Sequence, residues 1–356
     1  MTDAVFAPLL SKLSCHFSMS KSRLMTLCVL ICGMAQARTV NLSHIAGHFP
    51  GAALHASNYR RLQRFFQHEQ LDQQVIAQLV GALFESGRRR HLALDRSNWK
   101  LGAKDINVLV LALVTRRVRV PLMWVQLSRK GNSDTAQRIA LMQRYLALFG
   151  ASSIDLLLAD REFVGAQWLD FLCKNNIPFA IRLKEGMLVQ ADKHAAPCSF
   201  TSLLRKRGGG TWTGRLQGMN STLTFKGRRL GQGEAIIIAT NTKDAGRAMR
   251  AYRKRWGIEC LFGDCKSRGF NMEDTHMTAP GKLDTLLGLI AMAMAWAYRC
   301  ATALKGRADI PRKAHGRREK SWFRTGLDAL RRWLLYEPNR ASAAWMQISP
   351  KRQRSH

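Results

Sequence analysis

His91-Leu-Ala-Leu-Asp95 and Ile154-Asp-Leu-Leu-Leu-Ala-Asp160 are short apolar runs, and each closes on an aspartate. Runs of this length that stop at a polar residue read as strands buried on both faces. Between them lie two more candidates, Ile106 to Val114 and Pro121-Leu-Met-Trp-Val-Gln-Leu127. A stretch of helical period follows from Asp134 to Phe149, with Ser133 or Asp134 as its cap. Beyond Asp160 come a helix over Gln167 to Lys174 and a strand over Phe179-Ala-Ile-Arg-Leu183. The order is β-β-β-α-β-α-β, three strands able to pair as a meander and then alternating βα units.

That order is the one found in a ribonuclease-H-like α/β core, and it sets the first and fourth strands side by side. Asp95 and Asp160 then stand at the mouths of adjacent buried strands. Two carboxylates so placed repel unless a cation neutralises them, and Mg²⁺ is held by a few carboxylates together with phosphate oxygens. The plainer reading is that each aspartate starts a turn or caps a helix.

Residues 1–90 predict a helical domain. Leu24 to Ala35 is an apolar helix, Asn41 caps another, and Asn58 starts a third after the turn at Pro50-Gly51. Arg60, Arg61 and Arg64 lie on that third helix, which makes a helix-turn-helix-like DNA reader one reading and a plain bundle with a solvated basic face the other. Residues 91–185 hold the core. Residues 186–235 are rich in Gly and Thr and predict a mostly β insertion; the run Gly208 to Gly210 is no phosphate loop, since no Gly-Lys-Ser/Thr follows. The core resumes over 236–305, with a strand from Glu234 and a long helix from Lys243 or Asp244. Residues 306–356 form a basic C-terminal tail, in which Trp322 to Leu335 is amphipathic and suited to DNA contact or subunit pairing.

The 356 residues carry 56 Lys plus Arg against 24 Asp plus Glu, a formal net charge of +32. Every segment above is net positive, from +5 over 243–305 to +9 over 306–356. Charge spread this way fits an extended polyanion laid across most of the molecule, so double-stranded DNA is the expected partner. A membrane is not expected: the apolar runs Leu24–Ala35 and Thr285–Tyr298 fall short of the ~20 residues of a span. With no convincing signal peptide and no Cys-x-x-Cys pair among eight cysteines, the chain reads as cytoplasmic and nucleoid-associated. Cys260, Cys265 and His276 match no standard zinc spacing.

After the insertion comes Tyr252-Arg-Lys-Arg255-Trp-Gly-Ile-Glu259-Cys-Leu-Phe-Gly-Asp-Cys-Lys266. At about 100° per residue, Tyr252, Arg255, Glu259 and Lys266 fall within an arc of roughly 60° on one helix. The bland alternative, a solvated charged face, leaves Gly257 and Gly263 unexplained, because both weaken a helix.

The Tyr-x2-Arg-x3-Glu-x6-Lys spacing resembles the YREK signature of the DDE transposases of the insertion sequence four family. Asp95-Arg-Ser-Asn-Trp-Lys resembles the family's first aspartate motif and Ala-Asp160-Arg-Glu-Phe its second, and the likeness spans roughly 91–300. The resemblance implies that Asp95, Asp160 and Glu259 are catalytic and hold two Mg²⁺ ions, for which Mn²⁺ can substitute. One ion would activate the attacking water or 3′-hydroxyl, and the other would stabilise the leaving oxygen. It implies that Tyr252, Arg255 and Lys266 grip phosphates, and that a homodimer or larger assembly acts on two DNA ends. Glu162 is a candidate substitute ligand, Asp264 is left out, and Trp212 and Trp256 are core residues or base-stacking surfaces. The rival readings are a stand-alone ribonuclease-H-like nuclease, which has no use for the Tyr-Arg-Lys set, and a DNA-binding derivative of a transposase, which would be free to lose its carboxylates.

Overall fold

The computed structural model describes residues 3–84, 89–101, 104–128, 131–190, 196–207, 209–230 and 234–346. Gly208 of the glycine run and Lys351, Arg352 and Arg354 of the basic tail lie outside these residues.

Five helices come first: α1 (Asp3–Ser14), α2 (Lys21–Ala37), α3 (Leu42–Ala46), α4 (His55–His68) and α5 (Gln73–Leu83). Asn41 caps α3 by accepting from the Ser43 N–H. Asn58 does not start a helix: α4 begins at His55, and Asn58 is buried inside it. The apolar run in α2 is buried from Leu27 to Gln36, with no solvent-facing side, which is why it shows no amphipathic period.

The long hairpin of β1 (Arg90–Leu101) and β2 (Lys104–Val114) follows, then β3 (Arg119–Gln126), antiparallel to β2. β1 runs six residues past the expected end at Asp95, because its ladder with β2 continues to Leu101↔Lys104. α6 (Thr135–Phe149) opens on a capping box between Asp134 and Gln137. β4 (Ile154–Ala159) lies parallel to β1, and after α7 (Ala166–Lys174) the strand β5 (Phe179–Arg182) lies parallel to β4.

The insertion contributes β6 (Leu188–Gln190), β7 (Cys198–Ser199), α8 (Phe200–Arg207), β8 (Gly209–Leu216) and β9 (Leu223–Arg229), so it is β-rich but carries a helix. β10 (Ala235–Thr240) then returns antiparallel to both β5 and β9. The result is one mixed sheet in the order β3-β2-β1-β4-β5-β10-β9-β8-β6-β7. The insertion therefore extends the edge of the core sheet.

α9 (Ala245–Tyr252), capped by Asp244, leads through a 3-10 turn over Arg253–Arg255 into α10 (Trp256–Cys265). α11 (Pro280–Lys305), α12 (Trp322–Tyr336) and α13 (Pro338–Met346) complete the chain. Among the described residues α11 alone is long and apolar enough to cross a membrane, but 89% of that stretch is buried inside the protein. Its cover comes from α2, α5, α12 and α13. A Cβ on Gly326 would come within 1.8 Å of the Ala297 carbonyl, so glycine is what lets α12 approach α11 so closely. The apolar face of α12, including Phe323, Leu327, Leu330 and Trp333, is buried in this contact. That face is closed to subunit pairing. α1 docks on α13 and α2, its Phe6, Leu9 and Leu13 are buried, and the N- and C-terminal helices share one hydrophobic core with the sheet.

Candidate active site

Parallel pairing between β1 and β4 ends at Leu94↔Ala159, so the next residue of each strand is an aspartate. Asp95 stays in the β1–β2 ladder opposite Val110, whereas Asp160 has left its strand. Each carboxylate accepts a 2.8 Å bond from the following backbone N–H, that of Arg96 or Arg161. Burial raises the Asp95 pKa to about 6; the Arg96 N–H and the Arg255 guanidinium oppose the shift, while Glu162 and Asp160 add to it. The neighbouring carboxylates thus add to the shift, but less than burial does.

The α9–α10 segment closes over this pair. The Tyr252 hydroxyl donates to Asp160 Oδ1 at 3.2 Å, and burial pushes its pKa well up, so the phenol remains a donor. Arg255 Nη1 donates to Asp95 Oδ2 at 3.3 Å and Nη2 to Glu259 Oε1 at 2.5 Å. The segment is not the single uniform helix expected. In the 3-10 turn three residues complete one revolution, so Arg255 stacks above Tyr252, its guanidinium carbon 5.8 Å from the ring centroid. Lys266 is the C-cap of α10 and leaves the shared face. Its ammonium donates to the Asn98 carbonyl at 2.8 Å, lies 3.3 Å from Glu273 and sits over the Trp99 ring. Lys266 is thus tied beside the carboxylates, three residues along β1 from Asp95.

Two glycines within α10 have local reasons. Gly263 lies under the Arg268 guanidinium, which folds back to donate to the Cys260 carbonyl at 2.8 Å. Gly257 faces Val114 of β2, where a Cβ would make an ordinary 3.4 Å contact.

Glu162 is paired with Arg96. Arg96 holds it with two bonds, Nε to Oε1 at 2.8 Å and Nη2 to Oε2 at 2.9 Å, and also reaches the Gly131 carbonyl and Asn132. Asp264 is buried on α10 with its pKa raised to about 6 by that burial, and its ion pair is with Arg268.

Arg61 is corrected. Its Nε donates to Thr26 Oγ1 at 2.9 Å and its Nη2 to the Ser22 carbonyl at 2.8 Å, so it straps α4 to α2. Arg60 and Arg64 instead line a cleft of about 880 Å³ with Tyr59, His276 and Lys282. Trp212 is buried in the sheet, and Trp256 is 61% exposed beside Arg255.

The sequence reading missed Arg96 and the carbonyl of Asn98. The only signal for Arg96 was its place directly after Asp95, mirrored by Arg161 after Asp160. Also missed was the cluster at the other end of β1 and β4, where His91 Nδ1 lies 3.2 Å from Asp155 and His91 Nε2 lies 3.1 Å from Lys254 Nζ. Arg247 completes it by pairing with Asp155, which pins α9 to the sheet.

Asp95, Asp160 and Glu259 are hard oxygen donors of the kind that suit Mg²⁺. Among the described residues, however, no three His, Cys, Asp or Glu side chains stand close enough together to hold a metal, and the Arg255 guanidinium lies between Asp95 and Glu259. The donor set fits in kind but is not gathered around one point.

Fold and site together define a mixed α/β protein with a carboxylate centre where the pairing of two parallel strands ends. A family model described as a transposase DDE domain matches residues 86–296, more than half of the chain, and the chain belongs to that family. A search of curated proteins finds no match.

Proposed function

We propose that this transposase cuts DNA at the terminal inverted repeats of an insertion sequence and joins the freed 3′-OH ends to target DNA. The observation that carries the reading is the convergence of Asp95, Asp160 and Glu259 through Tyr252 and Arg255. A ribonuclease-H-like core is supported by the order β3-β2-β1-β4-β5, with β2 antiparallel and β1, β4 and β5 parallel. Membership of the insertion sequence four family rests on the Tyr252, Arg255, Glu259 and Lys266 spacing.

Asp95, Asp160 and Glu259 would hold Mg²⁺. The chemistry a divalent ion pair supplies in such a site is activation of the attacking oxygen and neutralisation of the leaving one. Tyr252 orients Asp160 by its hydroxyl bond. Arg255 has the planar fork suited to a bidentate phosphate contact. Lys266 places a point charge beside the carboxylates, and Arg60 and Arg64 offer phosphate contacts farther along a duplex. No protein nucleophile is required. Action on two ends calls for a homodimer or a larger assembly on DNA.

The test is cleavage and strand joining in Mg²⁺ on DNA carrying the short inverted repeats that flank the coding region. Asp160→Ala and Glu259→Ala are each expected to lower the rate on the order of a thousandfold. Wild-type activity in both variants would exclude this assignment of the site.

A further inference from the structure

We infer that a basic pocket between the start of β3 and the N-terminus of α12 binds a phosphate of the DNA backbone, outside the carboxylate centre. The inference rests on the proposed function only in taking double-stranded DNA as the partner.

The pocket holds about 360 Å³ and is lined chiefly by Arg119, Arg312, Arg317, Arg318, Lys320 and Trp322. Five of these six side chains are cations, and the described lining includes no carboxylate. Like charges crowded round one hollow repel each other, and an anion that enters is attracted by all of them.

The walls are folded and tied to the core. The loop before α12 closes a small hairpin, in which the Lys313 N–H donates to the Arg317 carbonyl at 2.9 Å and the Glu319 N–H to the Pro311 carbonyl at 2.8 Å. The turn between β2 and β3 holds this loop. Arg116 donates to Asp309 Oδ2 at 2.6 Å, and Arg117 donates to the Gly306 and Arg307 carbonyls at 2.8 Å while lying over the Trp322 ring.

Three of the five cations have protein partners: Arg318 pairs with Asp309, Lys320 pairs with Asp328, and Arg312 donates to the Gly316 carbonyl. The Arg119 and Arg317 side chains make no hydrogen bond or ion pair with any described residue, and Arg119 is half-buried with its Nε unpartnered. Asp264 feels Arg119 through space, yet its ion pair is with Arg268. A half-buried guanidinium without an anion carries a desolvation cost that a phosphate offsets. α12 adds to the field, because it starts at Trp322 with Ser321 as its cap and its positive end lies at the pocket. A phosphodiester suits such a site: an Arg fork takes two of its oxygens at once, and the contact fixes the register of a duplex without reading its sequence.

Arg119 lies on the same side of the sheet as α10, which carries Glu259. Its Nε is 3.5 Å from where a Cβ on Gly257 would stand. Arg119 pairs with Val114, four residues along β2 from Val110, the partner of Asp95. Two strands across and four residues along is on the order of 15–20 Å. With a phosphate about every 3.4 Å of axis on each strand, a duplex seated at the carboxylates reaches the pocket about five base pairs away.

The test is binding of the full chain to short random-sequence duplexes, followed by fluorescence anisotropy over a salt series without divalent metal. The double variant Arg119→Gln, Arg317→Gln is expected to bind every sequence about tenfold more weakly, and its slope of log K against log salt is expected to fall by about 0.9, the share of one phosphate. Lys313→Gln removes a cation of the same hairpin from outside the pocket lining and is expected to change the slope much less. No effect of the double variant, or equal effects of Arg317→Gln and Lys313→Gln, would overturn the inference. If the double variant does not fold, Arg317→Gln, on an exposed side chain, decides against Lys313→Gln. Wild type that fails to bind duplex at low salt removes the DNA reading itself, whereas wild type and double variant binding alike removes the pocket alone.

Discussion

Leu94 and Ala159 are the last residues paired between the parallel strands β1 and β4, and the chain places an aspartate directly after each. Strand pairing therefore brings Asp95 and Asp160 together without any help from loops. Glu259 has no such guarantee. It reaches them only through Arg255, from a helix that follows the whole insertion.

Tyr252→Phe removes the hydroxyl that donates to Asp160 while keeping the buried ring. With Asp160 a ligand, as the proposed function has it, loss of this outer hydrogen bond is expected to lower DNA cleavage by about 10- to 100-fold. Thermal melting should be little changed, because Asp160 keeps its bond from the Arg161 N–H. Cleavage kinetics and a melting curve on the same preparation check both halves.

Arg60, Arg61 and Arg64 share one helix but are expected to behave differently. Arg61→Ala breaks the strap to Thr26 and Ser22 and should cost about 1–3 kcal/mol in urea unfolding. Arg60→Ala and Arg64→Ala should leave stability nearly intact. Each should instead reduce the slope of log K for DNA against log salt by about 0.9. A reversal of these two patterns would show that α4 faces the other way.

Gly326 and Gly257 predict opposite signs. Gly326→Ala drives a Cβ against the Ala297 carbonyl and should destabilise by about 1–3 kcal/mol, the range typical of an overpacked core. Gly257→Ala meets only an ordinary contact with Val114 and gains helix propensity, so it should stabilise by up to about 1 kcal/mol. Chemical denaturation of the two variants measures the difference.

His91 supplies a pH dependence. Burial, and next the Lys254 ammonium, lower its pKa from 6.5 to about 4, with Asp155 opposing. The unfolded chain thus takes up the proton at a higher pH than the folded one. Stability from this residue is intact above pH 6.5 and is lost progressively as pH falls from 6.5 towards 4. His91→Gln should flatten that part of the melting-temperature profile, and an unchanged slope between pH 7 and 5 would count against a buried neutral imidazole.

Much of the core was legible because its strands are buried on both faces. Val110, Leu156 and Ile181 announce their elements by unbroken apolar runs. The cap of α6 was legible for a related reason, since Asp134 and Gln137 act within one turn. β1 was misjudged at Asp95 because its second half is held by β2 alone, and a polar segment such as Arg96-Ser-Asn shows no apolar run. α1 went unplaced for want of a visible partner: besides its neighbour α2, it packs against α13 at the other end of the chain.

The sequence by itself determined the order of the core elements and the spread of positive charge, because each is written in local period or composition. Tertiary structure alone decided what those residues touch. It turned Arg61 inward, gave Glu162 to Arg96 and Lys266 to the Asn98 carbonyl, and laid Arg255 between Asp95 and Glu259. The physical reason is that a charged side chain pairs with whichever opposite charge or open carbonyl the fold brings within about 3 Å, and, Glu259 apart, those partners lie far away in sequence.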